Sequence, residues 1–147
     1  MRPCLLIAFC VLGAGAAAQA PAPSNRIEAG DHVVYYNALP TTWLTPEVAR
    51  RYGVRRSANR VLLNIAVHRR RDDGLTEAVT AEVTGTATNL VGQRSVLELR
   101  EVREGAAVYY LAEIGFDGRE TLRFDVQARA HGGPPVQVRF SQSFFPD

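Results

Sequence analysis

Apolar and polar side chains alternate with a period of two along most of the chain after residue 58, and this pattern predicts β-strands with one buried face. Segment 33–39 is apolar on both faces, which is typical of a strand covered on both sides. In segment 96–102, Leu97 and Leu99 are out of phase with Val102, which indicates a bulge or a switch between sheets. The inward-facing sets of the other predicted strands are Val61, Leu63, Ile65 and Val67; Val79, Ala81, Val83 and Ala87; Val108, Tyr110, Ala112 and Ile114; Leu122, Phe124, Val126 and Ala128; and Val136, Val138 and Phe140.

Turn signals separate these segments into seven strands. The predicted turns are Arg71-Asp72-Asp73-Gly74, Val91-Gly92-Gln93, Glu104-Gly105, Asp117-Gly118 and Gly132-Gly133-Pro134-Pro135. Asp-Gly at 117–118 is a strong hairpin signal. Short connections join antiparallel neighbours, and seven short alternating strands match the strand count of an immunoglobulin-like sandwich. We therefore predict an all-β fold, an antiparallel seven-stranded immunoglobulin-like β-sandwich, with a small β-barrel as the alternative.

One short helix is predicted between the first two strands, over residues 45–52. Thr45 can cap it, Pro46 suits its first position, and Gly53 can end it in the left-handed conformation. About two turns of helix are not stable alone, so this helix must dock on the sandwich. The docking residues that we expect are Val48, Ala49 and Tyr52.

The first 18 residues have the layout of a secretory signal peptide. Arg2 precedes an apolar run, Cys4–Leu12, and a tract of small residues follows as far as Ala18. The run is shorter than the roughly 20 apolar residues that span a membrane. We expect cleavage after Ala18, a disordered tail over residues 19–29, and a single domain over residues 30–147 that is periplasmic or secreted.

Composition after cleavage excludes several kinds of chemistry. Both cysteines lie in the predicted leader, so the domain has no thiol for catalysis, disulfides or metal binding. All of its cations are arginine, and losing Arg2 lowers the formal net charge from +2 to about +1. A nucleic-acid-binding protein usually carries a strong basic excess, so nucleic acid is not an expected partner.

Candidate catalytic and metal-binding residues do not form a recognisable motif. His32, His68 and His131 are scattered without the spacing of a metal site, and no serine has a Gly-x-Ser-x-Gly context. We therefore predict no enzyme, no metal and no cofactor. The run Arg69-Arg70-Arg71 could bind phosphate groups, but the adjacent Asp72-Asp73 favours a solvated, neutralised hairpin end. The threonines between 80 and 88 could face a partner, although exposed strand positions favour threonine in any case.

The segment before the helix combines aromatic side chains with Asn, Thr and nearby Arg, a mixture that binding sites use. It contains the only tryptophan, Trp43. The favoured interpretation is that Trp43 and Leu44 pack the helix against the end of the sandwich, and the alternative is a ligand or partner site. The candidate residues of that site are Tyr36, Asn37, Thr41, Thr42, Trp43, Arg55 and Arg56.

The same segment resembles a known family. Residues 36–49 read Tyr-Asn-Ala-Leu-Pro-Thr-Thr-x-Leu-x-Pro-Glu-Val-Ala, and residues 52–57 read Tyr-Gly-Val-x-Arg-Ser. With further stretches at 63–67, 85–90, 109–113 and 122–125, the chain is similar to small exported proteobacterial proteins of domain of unknown function 4426. The resemblance implies a periplasmic location and a single β-rich domain. It implies no reaction, cofactor or site residue.

These observations favour a non-catalytic binding or accessory domain, exported to the cell envelope, with an unidentified protein or small molecule as partner. One alternative is a hydrolase or sugar-processing enzyme, which predicts a deep pocket lined by a carboxylate or histidine of shifted pKa. The other is a structural subunit that adds a strand to a partner's sheet, which predicts a long, unprotected edge strand.

Overall fold

A computed structural model describes residues 25–146 as two packed antiparallel sheets. Sheet A contains, in spatial order, β1 (Arg26–Ala29), β2 (His32–Pro40), β3 (Arg60–Arg70), β8 (Ala107–Gly115) and β7 (Arg100–Glu104), with β4 (Thr76–Ala78) paired to the far end of β3. Sheet B contains β10 (Pro135–Phe144), β9 (Glu120–Ala130), β5 (Ala81–Asn89) and β6 (Arg94–Val96). A 3-10 turn, Thr41–Trp43, and the helix α1, Pro46–Tyr52, connect β2 to β3.

The sandwich prediction is confirmed, because the two sheets are not closed into a barrel. The order β2-β3-β8-β7 reproduces strands A, B, E and D of an immunoglobulin constant domain, and β10-β9-β5 reproduces G, F and C. The number of strands is ten rather than seven. Two of the additional strands, β1 and β4, are only four and three residues long, too short to show a period. β1 occupies residues that we had expected in the tail.

The remaining additional strand comes from segment 96–102, where the phase change indicates either a bulge or a switch between sheets; the structure has the switch. Segment 96–102 divides into β6, at the edge of sheet B, and β7, at the edge of sheet A. Leu97 is buried in the main core between them, and its N–H donates to the Gly85 carbonyl at 2.9 Å. The phase change along the sequence therefore marks the crossing.

The hairpin predicted at Asp117-Gly118 is wrong. A sharp turn does form there, with φ of 55° at Gly118, but it connects β8 in sheet A to β9 in sheet B. β8 pairs with β3 and β7, whereas β9 pairs with β5 and β10. The dipeptide specifies the reversal of the chain, while packing of the two layers decides which strands become neighbours.

Two apolar clusters stabilise the fold. The main core lies between the sheets, and within it the Phe124 ring stacks on Phe140 with centroids 4.7 Å apart. Within sheet B, β5 and β9 approach closely at Gly85, where an added Cβ would lie 2.7 Å from the Asp125 carbonyl oxygen. The second cluster lies on the outer face of sheet A, beneath α1. Its members are Ala49, Val54, Leu62 and Leu111, with Leu44, Tyr52, Val102 and Tyr109 packed against them.

The helix begins and ends as its sequence predicts. The Thr45 hydroxyl accepts the Val48 N–H at 3.2 Å, Pro46 is the first helical residue, and Gly53 has φ of 66°. Ala49 and Tyr52 dock as expected. Val48 was a wrong prediction, because it lies outside both apolar clusters of the described chain.

The predicted leader, its cleavage site and residues 19–24 of the predicted tail lie outside the described residues. Among residues 25–146, no helix is long and apolar enough to cross a membrane.

Candidate functional site

The predicted site does not assemble as one cluster, because its two strand residues point in opposite directions. Tyr36 faces sheet B, with its ring centroid 4.8 Å from that of Phe140. Asn37 lies on the other face of β2, opposite Asn64 of β3. Successive side chains of a strand project to opposite faces, so Tyr36 is a packing residue of the main core and Asn37 belongs to the outer face.

Thr41 stabilises the connection between β2 and β3 and is not accessible to a partner. It is fully buried, and its hydroxyl donates to the Ser57 carbonyl at 3.1 Å and accepts the Ser57 N–H at 2.9 Å. This pair of hydrogen bonds joins the two ends of the connection between β2 and β3. It therefore fixes the backbone from which Trp43 projects.

Trp43 itself projects into solvent. Its side chain is 73% exposed, whereas the neighbouring Leu44 packs in the cluster beneath α1. The interpretation that both residues pack the helix against the sandwich is therefore correct for Leu44 and wrong for Trp43. The 3-10 turn ends at Trp43 and Leu44 has extended backbone angles, and after this change Leu44 faces sheet A while Trp43 faces water.

Arg56 and Arg55 flank this turn. Arg56 Nη2 donates to the Thr42 carbonyl at 3.1 Å, which holds the guanidinium beside Thr42, the residue before Trp43. The backbone N–H of Arg55 donates to Glu113 Oε1 at 3.0 Å, and the Arg55 side chain is exposed. The structure thus brings together Thr42, Trp43 and Arg56, with Arg55 adjacent in sequence.

The groups with displaced pKa values do not share one site, because Tyr110 faces the main core whereas Tyr52 packs in the cluster beneath α1. A hydrogen bond to Glu104 and partial burial raise the pKa of Tyr52 to about 12. Burial lowers the pKa of His68, near the C-terminal end of β3. Burial raises the pKa of Tyr110, which faces the main core. Because they do not converge, they give the hydrolase alternative no support. Within residues 25–146, no group of three or more His, Cys, Asp or Glu side chains could hold a metal ion.

The basic run at 69–71 is neutralised, as expected for a solvated hairpin end. Each of its arginines has a carboxylate oxygen 2.7–3.2 Å away. The partners are Glu77, Glu28 and Asp73.

Sequence reasoning missed a second basic surface, on the outer face of sheet B. There Arg94, Arg123 and Arg139 line one open groove of about 430 Å³. The alternation of β9 shows that Arg123 faces outward, but only the register of three separate strands brings the arginines together.

Comparison with known proteins supports the fold. A crystal structure of a DUF4426 family protein from Pseudomonas aeruginosa PAO1 is 34% identical, with a TM-score of 0.70, and the match covers 83% of this chain and 94% of that one. The crystal structure of FetP from uropathogenic Escherichia coli strain F11, expressed recombinantly in the periplasm of E. coli, is 12% identical, with a TM-score of 0.58 over 83% and 93% of the two chains. The second likeness shows the fold alone. No curated protein matches the sequence.

The resemblance noted from the sequence is confirmed by the family profile for "Domain of unknown function (DUF4426)", which matches residues 26–147. Because the match covers most of the chain, this protein belongs to the DUF4426 family.

Proposed function

We propose that this protein is a non-catalytic binding or accessory domain of the bacterial cell envelope, and that it binds a protein partner through Trp43. The observation that carries the proposal is the 73% exposure of this side chain. Tryptophan is enriched among the residues that dominate interface energies, and a large apolar ring in water gains most from being covered. The envelope location is supported by the signal-peptide pattern of residues 1–18.

The rigidity of the backbone beneath Trp43 supports the same proposal. Thr41 is hydrogen-bonded twice to Ser57, and Leu44 is anchored in the cluster under α1. A contact residue on a fixed backbone loses less conformational entropy when a partner binds, which favours affinity. The exposed guanidinium of Arg56 beside this turn adds a group that can pair with a partner's carboxylate or carbonyl.

A structural role by strand addition is the weaker candidate. β10 is an edge strand of ten residues, as that role requires. Arg139 in the middle of β10 is a feature that protects edges, and the side chain of Gln142 reaches across to the Ala38 carbonyl at 3.1 Å. The Gln142 hydrogen bond closes part of the seam between β10 and β2, so this edge is only partly available to a partner's strand.

Site-specific photocrosslinking in the native host tests the proposal. A photoreactive amino acid at position 43 is expected to give a discrete adduct in the periplasmic fraction. The matched control is position 75, because Leu75 is 65% exposed and lies in the β3–β4 turn at the opposite end of the sandwich. The same adduct at both positions, or none at 43, would contradict the proposed surface. N-terminal sequencing of that fraction is expected to begin at Gln19.

Trp43→Ala and Leu44→Ala separate binding from stability. Because Trp43 is exposed, W43A is expected to abolish the adduct or the co-purified partner while changing the free energy of unfolding by less than about 0.5 kcal/mol. Leu44 packs under α1, so L44A is expected to cost about 1–3 kcal/mol by calorimetry. A large loss of stability in W43A with unchanged partner binding would make Trp43 a packing residue and overturn the proposal.

A further inference from the structure

The outer face of sheet B places two arginines on one row across the strands. Arg94 of β6 lies opposite Thr88 of β5, and Thr88 lies opposite Arg123 of β9. Ser141 of β10 continues the row beyond Arg123. Neighbouring strands are about 4.8 Å apart, so the backbones of Arg94 and Arg123 are roughly 10 Å apart. Arginine side chains are long enough for both guanidinium groups to reach one point above Thr88.

Neither of these arginines is ion-paired. Among residues 25–146, the side chains of Arg94 and Arg123 form no ion pair or hydrogen bond. The acid on the next row, Asp125, accepts hydrogen bonds from Arg139 Nε at 3.2 Å and from the Gln137 side-chain amide. The carboxylate of Asp125 is therefore paired with Arg139 of β10, and the row that contains Arg94 and Arg123 keeps its positive charge.

The groove around these arginines also offers hydroxyl groups. Its lining includes Thr86, Thr88 and Ser141 together with the three arginines and Asp125, which is paired with Arg139, in a volume of about 430 Å³. Guanidinium groups and hydroxyls both donate hydrogen bonds, and guanidinium matches the geometry of two oxygens on one phosphorus. The donor set is complementary to an oxyanion rather than to a cation or an apolar molecule.

The two basic surfaces of the protein differ in pairing, not in composition. Every arginine of the 69–71 run has a carboxylate partner, although those residues are adjacent in sequence. Arg94 and Arg123 are 29 positions apart in sequence and have none. Arg94 and Arg123 flank Thr88 from its two neighbouring strands, so an oxyanion held above Thr88 would lie within reach of both guanidinium groups.

We propose that the outer face of sheet B binds a phosphate-bearing ligand at the row formed by Arg94, Thr88, Arg123 and Ser141. Arg94 and Arg123 each donate to phosphoryl oxygens, and the hydroxyls of Thr88 and Ser141 donate to the remaining oxygens or to an attached polyol. This surface is distinct from the Trp43 turn, which projects from the end of the sandwich at the connection between β2 and β3. The ligand can be a soluble phosphomonoester or the phosphate of a lipid headgroup.

Calorimetric titration and vesicle sedimentation of the purified protein test this assignment and separate the two sources. The soluble probes are inorganic phosphate and glucose 6-phosphate. The lipid probe is phosphatidylcholine vesicles containing phosphatidic acid, with pure phosphatidylcholine vesicles as the blank. Binding of a soluble probe identifies a soluble phosphomonoester, whereas binding of the phosphatidic acid vesicles alone identifies a headgroup.

Neutral variants locate the site. Arg94→Gln and Arg123→Gln are each expected to weaken binding of the effective probe at least tenfold, because each removes a charge-assisted hydrogen-bonding group. Arg129→Gln is the matched control, since Arg129 is exposed on the same face of the same strand, opposite Glu82 and Pro135. It is expected to change the dissociation constant less than about twofold.

Arg123→Lys is expected to weaken binding of the effective probe less than Arg123→Gln, because lysine keeps the charge but loses the planar pair of donors. The unliganded melting temperature of every variant checks folding independently of binding. Equal weakening by Arg129→Gln would show diffuse charge attraction and overturn the site. Failure of all three probes to bind the wild-type protein at millimolar concentration would overturn it as well, and it would leave the Trp43 surface untouched.

Discussion

The outer faces of the two sheets share a fold and differ in what covers them. On sheet A, Leu62 and Leu111 are each 3% exposed, because α1 lies across them. On sheet B, most outward positions are polar and at least partly in water, and they carry Thr, Arg, Gln and Ser together with Glu82 and Asp125. The outer face of sheet A is a second apolar core, and the outer face of sheet B is a polar surface. The helix α1 therefore adds a third layer on sheet A alone.

The sequences of the strands in the two sheets show this difference in coverage. β3 reads Val-Leu-Leu-Asn-Ile-Ala-Val over residues 61–67, a nearly continuous apolar run with both faces buried. From residue 122 to 130 of β9, every second position is buried and those between are exposed, except for the half-buried Asp125. A strand covered on both sides has no polar face, whereas a strand covered on one side needs a period of two. Departures from alternation therefore identify where a third layer lies.

The largest expected effect is on the covered face. Leu111→Ala removes a side chain packed between sheet A and α1, and the resulting cavity is expected to cost about 2–4 kcal/mol of unfolding free energy. Thr86→Ala on the outer face of sheet B is the matched control, with an expected change within about 0.5 kcal/mol. Urea denaturation of both variants measures the contrast. Equal costs would show that α1 does not form a core with sheet A.

A smaller effect is expected at the end of α1. Gly53 has φ of 66°, so Gly53→Ala forces an alanine into the left-handed region, at a cost of about 1 kcal/mol. Steric crowding adds little, since an added Cβ would lie 3.8 Å from the nearest Arg100 atom. Gly115→Ala is the control, because its added Cβ would meet only the Asn59 carbonyl oxygen, at 4.0 Å. A thermal melt in which the two variants coincide would argue against a backbone origin of the cost.

The smallest expected effect concerns the pH dependence of helix docking. The Tyr52 hydroxyl donates to Glu104 of β7, and the pKa of Tyr52 rises from 10.0 to about 12 on folding. Because the folded-state value is the higher one, the stabilisation is complete below pH 10 and is lost as pH rises through about 12. Glu104 is partly in water, so the contribution is less than about 1 kcal/mol.

Tyr52→Phe should remove this dependence. The wild-type protein is expected to be slightly more stable than the variant at neutral pH, and the difference should close between pH 10 and pH 12. Chemical denaturation at a series of pH values measures both curves. A constant difference across that range would assign the Tyr52 contribution to ring packing, for which Tyr109 lies 6.1 Å away between centroids.

The sequence predicted the elements whose causes are local. Thr45, Pro46 and Gly53 specify the ends of α1 through their own hydrogen-bonding and backbone preferences. Alternation predicted the inward faces of the long strands, and the phase change near Leu99 predicted the crossing between sheets. β1 and β4 were missed because three or four residues are too few to establish a period.

The candidate site was only partly predictable, because the direction of each side chain depends on contacts outside the segment. Composition drew attention to segment 36–44, yet it could not tell that Tyr36 faces the core, that Thr41 is buried, and that Trp43 projects into water. Those directions depend on where β2 ends and on how the 3-10 turn starts, which are set by packing of Leu44 under α1. Alternation predicts that Arg123 faces outward, but its position on one row with Arg94 was not predictable, because the two residues come together only through the register of β6, β5 and β9.

By itself, the sequence determined an all-β sandwich with one capped helix and a family with no assigned reaction, because these depend on short-range patterns that each segment carries. Only the tertiary structure decided that β8 and β9 belong to different sheets, that Glu28 and Glu77 join Asp73 in pairing with the arginine run at 69–71, and that two unpaired arginines share one row on sheet B. The physical reason is that charge pairing and side-chain exposure are set by distances in space between residues far apart in sequence, which hydrophobic periodicity does not encode.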